Sequence, residues 1–477
     1  MSVRNAAAGC LALILSLLPG AFTSARAVPA FKHIVIVFQE NRTPDNIFGS
    51  NPKFEPGVDI ATSGVNSKGK VIPLTALPLA NCYDLGHSHT SFELALQGAD
   101  LVPVQPKGQD CHLPRNPQFK YADNSTGLMQ PYFDIATNYG FSNRMFQTNQ
   151  GPSFPAHQFI FGGTSAPSTN SPLFASENLR TREPLAGCLA PLNVKVDVID
   201  GFGSETSNPP IYPCFEHPTL SDLLEHATPR VSWRYYAPAP GLIWTAPNAI
   251  HHICKPNEAH TRCTGKDWED GNIVPNNSAQ VLTDIAHCKL QAVTWAIPTP
   301  GESDHAGVNK GKGPDWVASI VNAVGTQTPC AGGDTYWNDT AIIITWDDWG
   351  GWFDHVKPFA INVQPNNPPA WGDGYTYGFR VPMMVVSAYT QAGVVSNQTH
   401  DFGSILYFIE RNFGLGFIGP GTTIYSNYAD YYAQSRGALE EFFSLKSARK
   451  FVPVPHHGMN AMDFIREPRS LEGPDDD

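Results

Sequence analysis

The chain has 477 residues, of which 42% are hydrophobic and 16% charged, and its formal net charge is −12. This composition excludes a disordered chain, and the length suffices for one large α/β domain with insertions or for two domains. The acidic balance argues against nucleic acid or an anionic membrane surface as a partner.

Residues 1–27 read as a secretory signal: Arg4 supplies a positive start, 6–18 an apolar stretch, and Ala25-Arg26-Ala27 an A-x-A cleavage site. That apolar stretch is short for a bilayer span and no later stretch is longer, so no stable membrane anchor is expected. The expectation is export to the periplasm or the medium. Removal of 1–27 takes away Arg4 and Arg26 but no acid, which moves the net charge from −12 to −14. It also removes Cys10 and leaves eight cysteines, at 82, 111, 188, 214, 254, 263, 288 and 330. An even number in an oxidising compartment predicts disulfides, although spacing does not fix their pairing. Cys254 and Cys263 are near enough to close a short local loop. The chain has no C-x-x-C pair of the kind that builds a zinc–thiolate site.

Residues 33–39, HIVIVFQ, form a buried parallel strand on this reading, with Glu40-Asn41 at its C-terminal end. The stretch 50–130 is rich in Gly, Pro, Asn and Asp and reads as mostly loop. At 151–163, GPSFPAHQFIFGG, a turn leads into a short helix expected to start near Pro155. The span 164–230 reads as loop, broken by VKVDVID at 194–200. Strands are predicted at 232–237, 292–297, 341–346 and 382–389, and helices at 316–325 and 402–416. Alternating short apolar strands and helices predict a mainly parallel central sheet sandwiched between helices. The expected organisation is a single α/β domain over 28–477, with cap-like insertions at about 50–130 and 164–290.

In such folds ligands bind beyond the carboxyl ends of the strands. Glu40-Asn41 and Asp347-Asp348 both occupy that position. Together they offer three carboxylates and one amide oxygen, an oxygen-rich site for one divalent cation that would relieve the repulsion between neighbouring acids. Each pair alone also suits an Asx-turn or a helix N-cap. Ca, Mg, Mn, Fe and Zn all remain open. Ser153 has two readings: an N-cap, or a hydroxyl that attacks phosphorus beside a helix N-terminus. His305, His355, the pair His87 and His89, and the pair His251-His252 are candidates for phosphate binding or proton donation. Gly350 and Gly351 would let backbone approach the site closely. Neither a G-x-S-x-G elbow nor a Walker loop is present.

The segments HIVIVFQENRTPDNIFG (33–49), GPSFPAHQFIFGGTS (151–165), SDHAG (303–307), DTAIIITWDDWGGWFDHV (339–356), YGFRVPMMVVS (377–387) and FGSILYFIERNFGL (402–415) occur in this order. Together they resemble the bacterial phosphoesterase family of acid phosphatases and non-specific phospholipases C, within the alkaline phosphatase superfamily. The resemblance implies an alkaline-phosphatase-like α/β fold and metal-assisted phosphoryl transfer through a phosphoserine. By matching motif it implies Glu40, Asn41, Asp347 and Asp348 as metal ligands and Ser153 as the nucleophile held by the metal. His305 resembles a residue that contacts the phosphate or the leaving group, and His355 closes the D-H motif. His87, His89, His251 and His252 match less closely. Many relatives have D-E-H-G-G where this chain has Asp347-Asp348-Trp349-Gly350-Gly351, so Trp349 replaces a histidine.

The expected activity is hydrolysis of phosphate monoesters, with an acidic optimum as a family expectation. The acidic charge, the missing twin-arginine signal and the short stretch after the 402–416 helix favour this over a phospholipase C acting on phosphatidylcholine-type lipids. A secreted binding protein that has lost catalysis is the third reading. The sulfatase motif C-x-P-x-R is missing. Trp244, Trp349 and Trp352 would either touch lipid or pack in the core.

Overall fold

The computed structural model describes residues 30–104, 111–180, 185–205, 209–331, 333, 335–362, 373–419 and 428–468. The expected signal at 1–27 lies outside the described residues.

Eight strands build the main sheet: β1 (His33–Gln39), β2 (Gly140–Ser142), β3 (Trp233–Tyr236), β4 (Ile273–Val274), β5 (Val293–Ala296), β6 (Thr340–Trp346), β7 (Met383–Ser387) and β8 (Val394–Ser396). Their spatial order is β4-β3-β5-β1-β6-β7-β2-β8. β7 alone runs against the others. β1 and β6 lie at the centre, where both faces are covered, and this accounts for their unbroken Ile/Val runs. They pair in parallel from His33 opposite Thr340 to Gln39 opposite Trp346. That register delivers Glu40-Asn41 and Asp347-Asp348 side by side at the same edge.

The expected helices form at Gly313–Thr326 and Phe402–Phe413. The second begins at a reciprocal Asp401–Ser404 cap and ends at Gly414, whose φ of 66° is the left-handed conformation that glycine adopts freely. The helix at Ser153–Gly162 starts two residues earlier than expected, and Pro152 rather than Ser153 occupies the N-cap position. It lies over the sheet through Phe161, which meets Trp233, Tyr235 and Trp295 edge to face or tilted.

Several elements escape a periodicity reading. The helices His89–Leu96 and Gln130–Asn138 carry polar residues on much of their length. β2 is three residues long and begins with glycine. The 164–290 span is more than a cap, because it supplies β3 and β4 to the main sheet and a separate antiparallel pair, Leu173–Leu179 with Val196–Asp200. The eight cysteines form four disulfides: Cys82–Cys111, Cys188–Cys214, Cys254–Cys263 and Cys288–Cys330. Such a set fits an oxidising compartment. Among the described residues no helix is long and apolar enough to cross a membrane.

Candidate active site

The two central strands end at four residues that are fully buried: Glu40, Asn41, Asp347 and Asp348. The turn after β1 holds Asn41 at φ 59°, a left-handed conformation that asparagine tolerates better than most residues. Its backbone N–H donates to Asp347 Oδ1 at 3.1 Å, which ties the two strand ends together. After β6 the chain turns sharply, and the Gly350 N–H donates to Asp348 Oδ1 at 2.7 Å. Gly350 has φ 62°, and a Cβ there would collide with the Asn41 carbonyl. The glycine is therefore needed both for its conformation and for the close approach of the two loops.

Ser153, the first residue of its helix, points into this group. Its hydroxyl donates to Asp348 Oδ2 at 3.1 Å and lies 3.5 Å from Asn41 Oδ1. One turn further along the same helix, His157 Nε2 lies 3.3 Å from Glu40 Oε1 and 3.7 Å from Asp347 Oδ2. His157 was not among the residues singled out from the sequence, although its spacing of four from Ser153 puts both on one helix face.

The electrostatics are dominated by burial. Desolvation, then the charge of Asp347, pushes the Glu40 carboxyl well above its ordinary range. The Asp348 carboxyl is raised for the same two reasons. Desolvation holds the His157 imidazole down to about 4. Among the described residues no hydrogen-bond donor reaches Glu40 Oε2 or Asp347 Oδ2, although both atoms are buried. Buried carboxylate oxygens with no donor are costly, and a hard divalent cation is the partner that suits an oxygen-rich donor set. The residues thus fit a divalent metal.

The histidines divide into two groups. The Asn41 amide nitrogen lies 3.0 Å from His87 Nε2, so His87 borders the cluster directly. The His305 ring lies 5.9 Å from that of His87, and Asp84 sits 3.9 Å from Nδ1 of each. Their Nδ1 atoms each lie 2.8 Å from a backbone carbonyl, of Leu85 and Ala306, which fixes both ring orientations. Arg42, buried over the Trp352 ring, bonds the carbonyls of Asp304 and Leu79 and so pins the adjoining loops. His89 stands farther out, with its Nε2 near Gln150 Oε1 and the Gly203 carbonyl.

The remaining candidates are held elsewhere. His251 and His252 face Glu216, and His252 also faces Asp222, on a partly exposed surface. They lie against those acids and are not brought to the cluster. His355 bonds Asp45 and Asp59 instead of the Asp347-Asp348 pair two turns before it. Trp244, Trp349 and Trp352 are all buried. Trp349 stacks on Phe379 with ring centroids 4.5 Å apart. It lines a cavity of about 480 Å³ together with Leu96, Leu101, Gly351, Phe353 and Phe379.

Parts of the chain align with known proteins. A 145-residue stretch is 34% identical to a non-hemolytic phospholipase C of Burkholderia pseudomallei, covering 27% of this chain and 20% of that one. A longer match to a non-hemolytic phospholipase C of Pseudomonas aeruginosa is 23% identical over 458 residues, 84% of this chain and 58% of the other. Phospholipase C A of Mycobacterium tuberculosis is 28% identical over 156 residues, 30% of this chain and 29% of that protein. The chain thus spans between about a fifth and three-fifths of the length of these curated relatives. Among solved structures, a protein of the alkaline phosphatase superfamily from Vibrio parahaemolyticus matches with a TM-score of 0.34 at 9% identity, covering 82% of this chain and 68% of that one. The model of the Phosphoesterase family matches residues 31–416, and the chain belongs to that family.

Proposed function

We propose that this protein is an exported, metal-assisted hydrolase of phosphate monoesters in which Ser153 is the nucleophile. One observation carries the reading: a hydroxyl at a helix N-terminus lies 3.1 Å from Asp348 Oδ2, among the buried carboxylates of Glu40, Asp347 and Asp348. Glu40, Asn41, Asp347 and Asp348 would hold the metal, with Ser153 beside it. When bound, that ion supplies charge neutralisation for the phosphoryl group and activates a hydroxyl.

The chain's own groups account for the rest. Asp348 and Asn41 orient Ser153 Oγ for in-line attack on phosphorus. Its Oγ–P bond forms as the ester P–O bond breaks, and its hydroxyl proton passes to the Asp348 carboxylate that accepts its hydrogen bond. The N-terminus of the Ser153 helix and the donors around it stabilise the extra negative charge. His87 and His305, oriented by their backbone carbonyls, stand where one of them passes a proton to the leaving alcohol. Water then attacks the phosphoserine, releasing phosphate and restoring the hydroxyl. The four disulfides support the exported location.

The test compares p-nitrophenyl phosphate, a phosphodiester and phosphatidylcholine across pH, with and without chelator. Monoester turnover that is fastest at acidic pH and abolished by chelation is expected. Absence of turnover on all three substrates would leave the secreted binding protein as the surviving reading.

A phospholipase C activity is the second reading. It is supported by the relatives' names and by the surface around the 480 Å³ cavity. Val65 and Val71, opposite each other in a short strand pair, and Leu94 and Val102 are all exposed there. Leu94 belongs to the helix whose next residues line the cavity, and Val102 follows its lining residue Leu101. An apolar rim around a partly apolar cavity suits an acyl chain better than a small sugar phosphate. Faster turnover of phosphatidylcholine than of any monoester would select this reading.

A further inference from the structure

We infer that His157 is a nitrogen ligand of the divalent cation, so that the site is a mixed nitrogen–oxygen centre and not an all-oxygen one. The inference rests on the metal-assisted reading above and adds a residue from the nucleophile's own helix.

The distances carry the argument. An N–H···O hydrogen bond spans about 2.7–3.2 Å. His157 Nε2 stands farther off, 3.3 Å from Glu40 Oε1 and 3.7 Å from Asp347 Oδ2. Two donors of one ion, each about 2.0–2.3 Å from it, stand about 3.0–3.7 Å apart across an octahedral or tetrahedral edge. Both His157 separations fall within that range. The oxygen-only edges on the other side of the cluster match it too: Ser153 Oγ lies 3.1 Å from Asp348 Oδ2 and 3.5 Å from Asn41 Oδ1.

The far side of the ring is arranged to leave Nε2 available. His157 Nδ1 lies 3.5 Å from the Tyr235 hydroxyl, which itself donates to the Trp244 carbonyl at 2.7 Å. Because that hydroxyl's proton is committed to the carbonyl, it can only accept from His157. With the ring proton on Nδ1, where the Tyr235 oxygen can accept it, the Nε2 lone pair would face Glu40 and Asp347. A lone pair aimed at carboxylate oxygens is repulsive unless a cation lies between them. Asp347 Oδ2, the atom facing it, is buried and has no hydrogen-bond donor among the described residues. Ser153 and His157 are four residues apart on one helix, so a rigid element presents nucleophile and ligand together. An imidazole ligand shifts the preference of the site from Ca and Mg toward Fe or Zn.

The test loads the full-length protein with Mn(II) alone and reads it by electron paramagnetic resonance and electron spin-echo envelope modulation. Stoichiometric binding of Mn(II) tests the underlying metal reading, and failure to bind overturns that reading and this inference with it. With Mn(II) bound, ¹⁴N modulation from an imidazole nitrogen is expected in the wild type. It should persist in the His87→Gln, His305→Gln double variant and vanish in His157→Gln, where Mn(II) affinity falls about tenfold or more. Bound Mn(II) without ¹⁴N modulation in the wild type overturns the inference. So does modulation that persists in His157→Gln, or that is lost in the double variant. Should His157→Gln fail to fold, the wild type and the double variant still decide.

Discussion

His355 Nδ1 lies 2.8 Å from Asp45 Oδ2, and this contact joins the loop after β6 to the short helix after β1. Arg380 completes the junction: its Nε and Nη2 bond the two oxygens of Asp354 at 2.9 and 3.0 Å, and Nη2 lies 3.4 Å from Asp45 Oδ1. The network spans both of the loops that carry Glu40-Asn41 and Asp347-Asp348. The histidine that ends the D-H motif is thus held by Asp45 and Asp59 and ties these loops together. Removing the buried guanidinium would strand two carboxylates, so Arg380→Met is expected to lower stability by about 3–5 kcal/mol. Urea unfolding checks this. His355→Gln keeps a neutral partner and is expected to reduce turnover by about 10–100-fold.

The proposed nucleophile can be separated from the proposed metal ligands. Ser153→Ala should cut phosphoester turnover by about 10⁴-fold or more while the protein still binds a divalent ion, because the carboxylates remain. Asp347→Ala should lose both. Steady-state kinetics and metal titration on the same preparations measure the split, and full turnover in Ser153→Ala would remove the nucleophile assignment.

Away from the site, Glu410 and Asp430 are both buried where the 402–413 helix meets the Ala429–Ala433 helix. Burial, then the charge of Asp430, pushes the Glu410 carboxyl up to about 11, and burial raises Asp430 as well. A folded-state value above the unfolded one means that the folded protein binds the extra proton. The contribution to stability is full below about pH 4.5, the ordinary glutamate range, and is lost as pH rises toward 11. Glu410→Gln should therefore raise the melting temperature at pH 9 and leave it nearly unchanged at pH 4. Calorimetry at the two pH values tests the sign.

Cys288–Cys330 closes a loop with a sequence separation of 42, which in the chain-entropy account is worth about 4 kcal/mol. A Cys288→Ser, Cys330→Ser double variant is expected to unfold at correspondingly lower urea. It should keep its activity in the absence of denaturant, since these residues lie apart from the carboxylate cluster.

The chemistry of the site is written in the order of residues along the chain. Each of β1 and β6 is a run of apolar and β-branched residues that stops at two polar ones, and burial on both faces leaves little else for such a run to be. For that reason Glu40, Asn41, Asp347 and Asp348 could be named before any coordinates, and the Gly350-Gly351 turn with them. The histidines were harder to read, because a histidine in a loop has the same local signature whether it meets Glu216, Asp45 or Asn41. Their partners lie far away along the chain, as Glu216 does for His252 and Asp45 does for His355.

By itself the sequence determined the strand ends, the metal-type donor set, the hydroxyl and the family. Three things were decided only by tertiary structure. The parallel register of β1 on β6 makes two separate pairs into one cluster. The helix start at Ser153 turns the hydroxyl from a cap into a group aimed at Asp348. The same helix brings His157 onto Glu40 and Asp347. Register, helix phase and the distance between facing elements are set by packing across the whole core, and no local stretch of residues carries them.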